Sequence, residues 1–367
     1  MSEKYISFII TLYKPISLKI YEGKKTDKPF QIMHDRKSFL TEHATYRAQP
    51  YGPTETDNSP QTDRRRPKCK RIRQRERHLL ISEYIHNFTN SCYFCTDKPS
   101  ITIKRNMKKY VSDLLVAGVE HPREDYVLLR LTQPDGPLPE MVPGQFVEVL
   151  VEGSAQTFLR RPISINYVDY EKNELWLLVH VVGAGTAALS ALHTGDTLNC
   201  LFPLGNGFSM PEGQGKRMLL VGGGVGTAPL LYYGRCLKEA GHTPIFLLGG
   251  RSSGDLMQLD LFREHGPVHI TTEDGSLGEK GFVTNHSVLG ETFDAVATCG
   301  PKPMMMAVSR FATSKGLSCE ASLENMMACG LGACLCCVEK DKEGHNVCVC
   351  KEGPVFNINQ LQWQTSK

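Results

Sequence analysis

No stretch of this 367-residue chain approaches the roughly 18 consecutive apolar residues of a membrane-spanning helix, and a span of that kind is excluded. The short apolar run at 6–12 follows Lys4 without an Ala-x-Ala-like exit, so it does not read as a secretory signal. No Ser/His/Asp triad, paired carboxylates or metal-hydrolase motif points to hydrolysis. Glycine is almost missing from residues 1–106, which hold 2 of the 33, and periodicity of either 2 or 3.6 is weak there. In the same segment Lys and Arg outnumber Asp and Glu by 21 to 11, whereas residues 107–367 carry 21 against 28, so the net charge of +3 hides a split at Met107. What is present in quantity is apolar side chain, 41% of the chain, enough to fill two or three cores.

Residues 1–106 contain a Pro/Thr/Asn/Asp-rich stretch at 50–63 and a basic run at 64–77. Three readings stand beside one another: a phosphate-binding arm, a disordered tail, or a reading frame extended upstream of a natural start at Met107. The change in glycine and charge at Met107 favours the third. Cys92-x-x-Cys95, with Cys69 upstream, has no fourth ligand at metal spacing.

Six of the thirteen cysteines fall between Cys329 and Cys350. Without an export signal, clustered thiols indicate metal rather than cross-links, and a reducing, cytoplasmic compartment. Cys329, Cys334 and Cys337 read C-x4-C-x2-C, the spacing of three corners of a plant-type [2Fe–2S] cluster. Gly330, Gly332 and Ala333 let the backbone wrap closely and aim N–H groups at sulfur. Cys350 or Cys348 supplies the fourth corner. A zinc knuckle of Cys334, Cys337, Cys348 and Cys350 is the competing reading, and unligated structural cysteines are a third.

From Tyr110 onward, β-rich runs at 126–131, 145–151, 163–167 and 175–182 are separated by turn signals, which predicts an antiparallel barrel or sandwich. One helix, at 186–192, interrupts it. After Gly213 the texture changes. Strands at 217–221, 244–248, 268–271 and 293–298 alternate with helices at about 229–240, 256–265 and 304–315, as in a doubly wound parallel sheet. The last fifty residues leave little room for regular structure. The 222–229 run, Gly222-Gly223-Gly224-Val225-Gly226-Thr227-Ala228-Pro229, is a glycine loop between strand and helix, where backbone can approach a pyrophosphate. It does not match G-x-G-x-x-G, no acid follows the next strand, and a tight turn without ligand is the bland alternative. Arg161-Pro162-x-Ser164 offers a guanidinium and a hydroxyl around a proline, or simply an edge strand with solvated arginines.

Taken in order, Arg161-Pro162-x-Ser164, Gly185-Thr186, the 222–229 loop and Cys299-Gly300-Pro301-Lys302-Pro303-Met304 resemble the ferredoxin–NADP reductase superfamily. The resemblance implies an antiparallel β-barrel for FAD followed by an α/β doubly wound parallel sheet for NAD. The segment Ser322-x-Glu324-x-x-Met327-x-Cys329-Gly330-x-Gly332-Ala333-Cys334-x-x-Cys337-Val338, with Cys350-x-x-Gly353-Pro354-Val355-Phe356, is similar to the electron-transfer subunits of NAD-dependent dihydroorotate dehydrogenases. Pro143-Gly144-Gln145-Phe146, Pro203-Leu204-Gly205-Asn206-Gly207-Phe208 and Asp274-Gly275-Ser276-x-Gly278 fit the same family. The match covers about residues 107–360 and none of 1–106.

That resemblance implies specific roles. Arg161, Pro162, Ile163 and Ser164 would hold FAD, Arg161 at the pyrophosphate and Ser164 near the reactive flavin nitrogen. Leu178, Val179 and His180 would offer main-chain groups, and Gly185 and Thr186 would open a phosphate-binding helix. Gly222, Gly223, Gly224, Gly226 and Thr227, with Cys299, Gly300 and Pro301, would set nicotinamide against flavin; a buried strand-end thiol is the plain alternative for Cys299. Cys329, Cys334, Cys337 and Cys350 would hold the [2Fe–2S] cluster, with Cys336 and Cys348 as extra thiols. The expected domains are an N-terminal extension at 1–106, an FAD barrel at 107–213, an NAD domain at 214–317 and a cluster segment at 318–367. The implied partner is an FMN-containing dihydroorotate dehydrogenase catalytic subunit in a two-plus-two heterotetramer, making orotate for pyrimidine biosynthesis and sending electrons to NAD⁺. No nucleic-acid or membrane partner is expected. The rivals are a ferredoxin:NADP⁺ oxidoreductase or hydrogenase subunit with the same layout, and a zinc-stabilised adaptor. Arg251 and Ser252 leave NAD against NADP open.

Overall fold

The first sheet is antiparallel throughout, with strand order β4-β3-β7-β1-β2-β6-β5. Its members are β1 (Tyr110–Arg123), β2 (Tyr126–Thr132), β3 (Phe146–Val149), β4 (Arg161–Ser164), β5 (Tyr167–Asp169), β6 (Glu174–His180) and β7 (Thr197–Leu204). This computed structural model describes residues 108–152 and 157–364. The expectations for the basic arm, the Met107 start and Cys69, Cys92 and Cys95 lie outside those residues. All described residues belong to one unit, Ser100–Lys367.

Alternation drives the first sheet. Along β1, Leu114 and Val116 are fully buried while Val111 is exposed, so one face packs inward. Leu129, Leu131, Val147, Leu175, Leu177 and Phe202 join them in a core with no exposure. Each such side chain contributes about 1.5–3 kcal/mol of burial. A bulge between Val116 and Gly118 bends β1, and β4 curls back against β6, giving a half-closed barrel. Helix α1 (Ala184–Ser190) follows β6, its first turn fastened by the Thr186 hydroxyl, which accepts from Val182 N at 2.9 Å. Strand β7, central in the sheet, was not singled out from the sequence.

The second sheet has the order β11-β10-β9-β8-β12-β13-β16. It consists of β8 (Arg217–Gly223), β9 (Thr243–Gly250), β10 (Val268–Thr272), β11 (Glu279–Lys280), β12 (Ala295–Cys299), β13 (Ser318–Ser322) and β16 (Val355–Asn357). All pairs are parallel except β13 with β16. Helices α2 (Ala228–Glu239), α3 (Leu259–His265) and α4 (Lys302–Ser314) connect them. Winding goes outward from β8 to β10, then restarts on its other side at β12, so β8 and β12 form the topological switch point.

Three expectations change here. Gly222 and Gly223 are strand, not loop, because the parallel ladder runs on through Gly222↔Cys299 and Gly223↔Gly249. Helix α3 starts at Leu259 rather than 256, since Gln258 adopts a left-handed φ of 58° and its side chain is held by Asn166. The last fifty residues are more regular than composition suggests. β13 and β16 complete the second sheet, β16 as its one antiparallel edge strand, and β14 (Val338–Lys340) pairs with β15 (Asn346–Cys348) ahead of the short α5 (Val349–Glu352).

The barrel and the α/β layer meet through polar contacts. Asn166 donates to Ala228 O at 3.0 Å, Tyr232 to Met141 O at 3.0 Å, and Arg235 to Val168 O at 3.0 Å. Arg123 at the end of β1 pairs with Asp255 at 2.7 Å.

Candidate functional site

A cavity of about 770 Å³ opens at the switch point. The barrel contributes Arg123, Asp125, Tyr126 and His180, and the α/β layer Gly223, Gly224, Val225, Gly249 to Arg251, Pro301, Pro303 and Met304 among others. Of the expected site residues, His180, Gly223, Gly224 and Pro301 line it directly. Gly222, Gly226, Thr227, Cys299 and Gly300 form the layer behind. Gly224 (φ +56) begins a tight turn, Gly224–Thr227, that leads into α2. A Cβ on Gly226 would lie 2.5 Å from Gly300 N, and one on Gly300 (φ +141) 2.8 Å from Gly223 O. The two glycine segments touch backbone to backbone, so main chain rather than side chain faces the cavity. Cys299 is fully buried, and its thiol donates to Glu324 Oε1 at 3.7 Å. Burial, then the Glu324 carboxylate, pushes that thiol far above its usual range, so it stays protonated.

Apart from His180, the FAD-type residues stand outside this cavity, along the barrel. Arg161 to Ser164 make up the half-buried edge strand β4, paired to β3 at Val149↔Arg161 and Phe146↔Ser164. Leu178 and Val179 are buried in β6, and His180 at its end is stacked on Tyr126 at 4.5 Å. The structure brings Arg161 to α1: a Cβ on Gly185 would sit 2.6 Å from Arg161 Nε. Arg161 itself donates to Leu159 O at 2.7 Å. A guanidinium over a helix start is a donor set for a diphosphate.

The cysteine loop carries the densest geometry. Cys329 Sγ accepts from Leu331 N and Ala333 N at 3.4 Å each, and Cys334 Sγ from Cys336 N at 3.5 Å. Cys337 Sγ accepts from Cys350 N at 3.4 Å, and Cys350 Sγ from Gly332 N at 3.1 Å. Four sulfurs thus receive backbone donors. Gly330 (φ +64), Gly332 (φ +79) and Leu335 (φ +59) shape the turns that aim them. Cys348 behaves differently, with its thiol directed at Gly332 O, 3.8 Å away. Burial works against the Cys329 thiolate, but the Leu331, Cys334 and Ala333 amides outweigh it and bring the thiol to about 6.

This loop rests on the barrel. A Cβ on Gly330 would meet Glu148 Cγ and Leu204 Cδ1, both at 2.8 Å. Asn206, just beyond β7, donates to Glu352 O at 2.7 Å, and its N–H goes to Gly353 O at 2.6 Å. Sequence reasoning missed Arg123, Asp125, Tyr126, Thr271 and Glu273 in the cavity wall, and the buried Glu148. Only Glu324, already inside the cysteine-segment pattern, had a legible signal.

A flavin-type half-barrel, a doubly wound sheet with a glycine-lined cavity at its switch point, and a thiol loop seated on the barrel define a ferredoxin-reductase-like oxidoreductase. The solved NADH-dependent reduced ferredoxin–NADP oxidoreductase, studied for flavin-based electron bifurcation, is similar: TM-score 0.62 and 30% identity over 69% of this chain and 91% of that one. Residues 324–362 match the iron-sulfur cluster binding domain of dihydroorotate dehydrogenase B. The dihydroorotate dehydrogenase B (NAD(+)) electron transfer subunit of Shouchella clausii is 41% identical over 60% of this chain and 86% of its own length. That of Caldanaerobacter subterraneus subsp. tengcongensis is 43% identical over 58% and 84%. The chain belongs to the family of dihydroorotate dehydrogenase B electron transfer subunits.

Proposed function

We propose that this chain carries electrons from an FMN-bearing dihydroorotate dehydrogenase subunit, through an iron–sulfur cluster and FAD, to NAD⁺, so that dihydroorotate becomes orotate in pyrimidine biosynthesis. The observation that carries the reading is the set of four thiols, each receiving backbone N–H donors, on a loop seated on a flavin-type barrel. When bound, FAD supplies the exchange between hydride pairs and single electrons that joins nicotinamide to the cluster.

Each group of residues has a part. Arg161 and the start of α1 bind diphosphate, while Ser164 and the main chain of Leu178 to His180 orient the flavin ring. Gly224 presents its N–H to the dinucleotide, and Gly226 and Gly300, packed backbone to backbone behind it, hold that turn in place. Protonated Cys299, buried and tied to Glu324, closes the inner end of the cleft to water. Cys329, Cys334, Cys337 and Cys350 ligate the cluster, with amide donors that stabilise added negative charge. The C-x4-C-x2-C spacing with small residues inside it supports a two-iron cluster over one zinc, and the direction of the Cys348 thiol supports Cys350 as fourth ligand. Met326, Leu331 and Leu335, 83%, 45% and 61% exposed around the loop, suit the face that meets the catalytic subunit, in a two-plus-two assembly. Among the described residues no helix is long and apolar enough to cross a membrane, and we place the complex in the cytoplasm.

A second reading, service to ferredoxin and NADP⁺, is favoured by the 30% identity to the ferredoxin–NADP oxidoreductase noted above. One experiment separates them: purify the chain with its bound partner and supply dihydroorotate with NAD⁺. Formation of orotate and NADH supports the proposal. Reduction of nicotinamide by reduced ferredoxin alone, with dihydroorotate inert, supports the second reading.

A further inference from the structure

The outer end of the cleft lies over the carboxyl ends of β9 and β10, where the adenosine half of a dinucleotide rests in a doubly wound sheet. Thr271, Glu273 and Arg251 line it. We infer that this end is a ribose-diol site, in which Thr271 binds the nucleotide and Glu273 selects NAD over its 2′-phosphorylated form. The inference rests on the reading of the cleft as the dinucleotide site and adds the residue that chooses between the two nucleotides.

Thr271 provides the first observation. It is 1% exposed, and its hydroxyl has no hydrogen-bond partner although it belongs to the cavity wall. An orphaned buried hydroxyl is costly, and a ligand hydroxyl or ring nitrogen satisfies it. Gly249 keeps the way open, since a Cβ there would lie 3.3 Å from Thr271 Oγ1 and 2.6 Å from Val283 Cγ1.

Glu273 provides the second. Its backbone is pinned by a bond from its N–H to Gly250 O at 3.1 Å, and among the described residues no ion pair engages its carboxylate. A free carboxylate beside a sugar accepts hydrogen bonds from a 2′,3′-diol and repels a 2′-phosphate.

The third observation concerns donors. Arg251 and Ser252 left NAD against NADP open in sequence, but the amides of the 251–253 stretch are spent. Arg251 N and Ser252 N donate to Asp255 Oδ2 at 2.9 and 3.0 Å, and Ser253 N to Ser276 Oγ at 2.8 Å. Asp255 also holds Arg123 at 2.7 Å. A 2′-phosphate arriving here would find its backbone donors occupied and the Glu273 carboxylate close by, with the Arg251 guanidinium of the same wall as a cationic partner. A diol needs only an acceptor and a hydroxyl, and both are waiting.

The test is equilibrium binding by calorimetry on the cofactor-loaded full chain, with NAD⁺, NADP⁺, 5′-AMP and 2′,5′-ADP as probes. The wild type should prefer NAD⁺ and 5′-AMP. Glu273→Gln should shrink that preference by roughly ten- to a hundredfold, the value of a hydrogen bond to a charged group. Thr271→Val should weaken both nucleotides alike by roughly tenfold or less, without moving their ratio. An unchanged ratio in Glu273→Gln, a wild type that prefers NADP⁺, or full affinity in Thr271→Val overturns the inference. Gly226→Ala tells its failure from failure of the underlying reading. If that variant loses both nucleotides while Glu273→Gln changes nothing, the cleft is the dinucleotide site and only the selection is wrong. If it binds both normally, the cleft itself is misassigned and the inference falls with it.

Discussion

Glu148 offers a sharp quantitative expectation. It sits in mid-strand on β3 with no exposure, and neither carboxylate oxygen has a hydrogen-bond partner. Burial first, then the Cys329 thiolate, lifts its carboxyl from the ordinary 4.5 to about 7, against the pull of Arg160 and Arg161. A folded value raised above the unfolded one means that stability is complete below the unfolded value and is lost as pH climbs through the folded one. The window therefore runs from about 4.5 to about 7. A shift of that size corresponds to roughly 3 kcal/mol lost by pH 8, and roughly half of that by pH 5.5. Glu148→Gln keeps the shape, stays neutral and escapes the loss. Its advantage over the wild type should widen by roughly 2 kcal/mol between pH 5.5 and 8, or about 4–8 °C in Tm for a fold of this size. Thermal unfolding of both proteins at the two pH values checks it. Parallel curves, or a gap that narrows as pH rises, would refute the claim that this acid is buried without a partner.

Three further outcomes follow from the same geometry. Cys350→Ser should cut iron content and the visible iron–sulfur absorption sharply, whereas Cys348→Ser should leave both near normal, because of these two sulfurs it is Cys350 that receives an amide from the thiol loop, while the Cys348 thiol is directed at Gly332 O; iron and labile-sulfide analysis reads this. Gly185→Ala should lower bound FAD per chain without lowering Tm, since alanine favours a helix by up to about 1 kcal/mol while its Cβ crowds Arg161; flavin absorbance against protein concentration measures it. Gly226→Ala should cost about 1–3 kcal/mol of stability through overpacking against Gly300 and raise the Kd for NAD⁺, with flavin and iron–sulfur spectra unchanged.

Much of the architecture was legible because its signals are local. β-Rich apolar runs between turn signals marked β2 and β6, and the strand–glycine–helix order marked β8 and α2. Spacing alone marked Cys329, Cys334 and Cys337. What escaped was held by distant partners. Strand β7, with its run of Leu198 to Leu204, shows weak alternation and is fixed by pairing with β1 and β3. The start of α3 depends on Asn166, 92 residues away, gripping Gln258. β13 and β16 read as loop in a Cys/Gly-rich segment, yet their backbones complete a sheet whose other strands come earlier in the chain. Thr271, Glu273 and Arg123 are ordinary surface-type residues in sequence, and only folding turns them toward one cavity.

The central claim is that four thiols hold a two-iron cluster in electronic contact with a flavin. Anaerobic reduction of the purified chain by NADH, followed by low-temperature EPR with iron, sulfide and flavin analysis, tests it most directly. The account predicts about two irons and two sulfides per chain, one FAD, and a paramagnetic signal that grows as NADH is consumed. A protein that contains zinc in place of iron, or a cluster that dithionite reduces but NADH with bound FAD cannot, would contradict it.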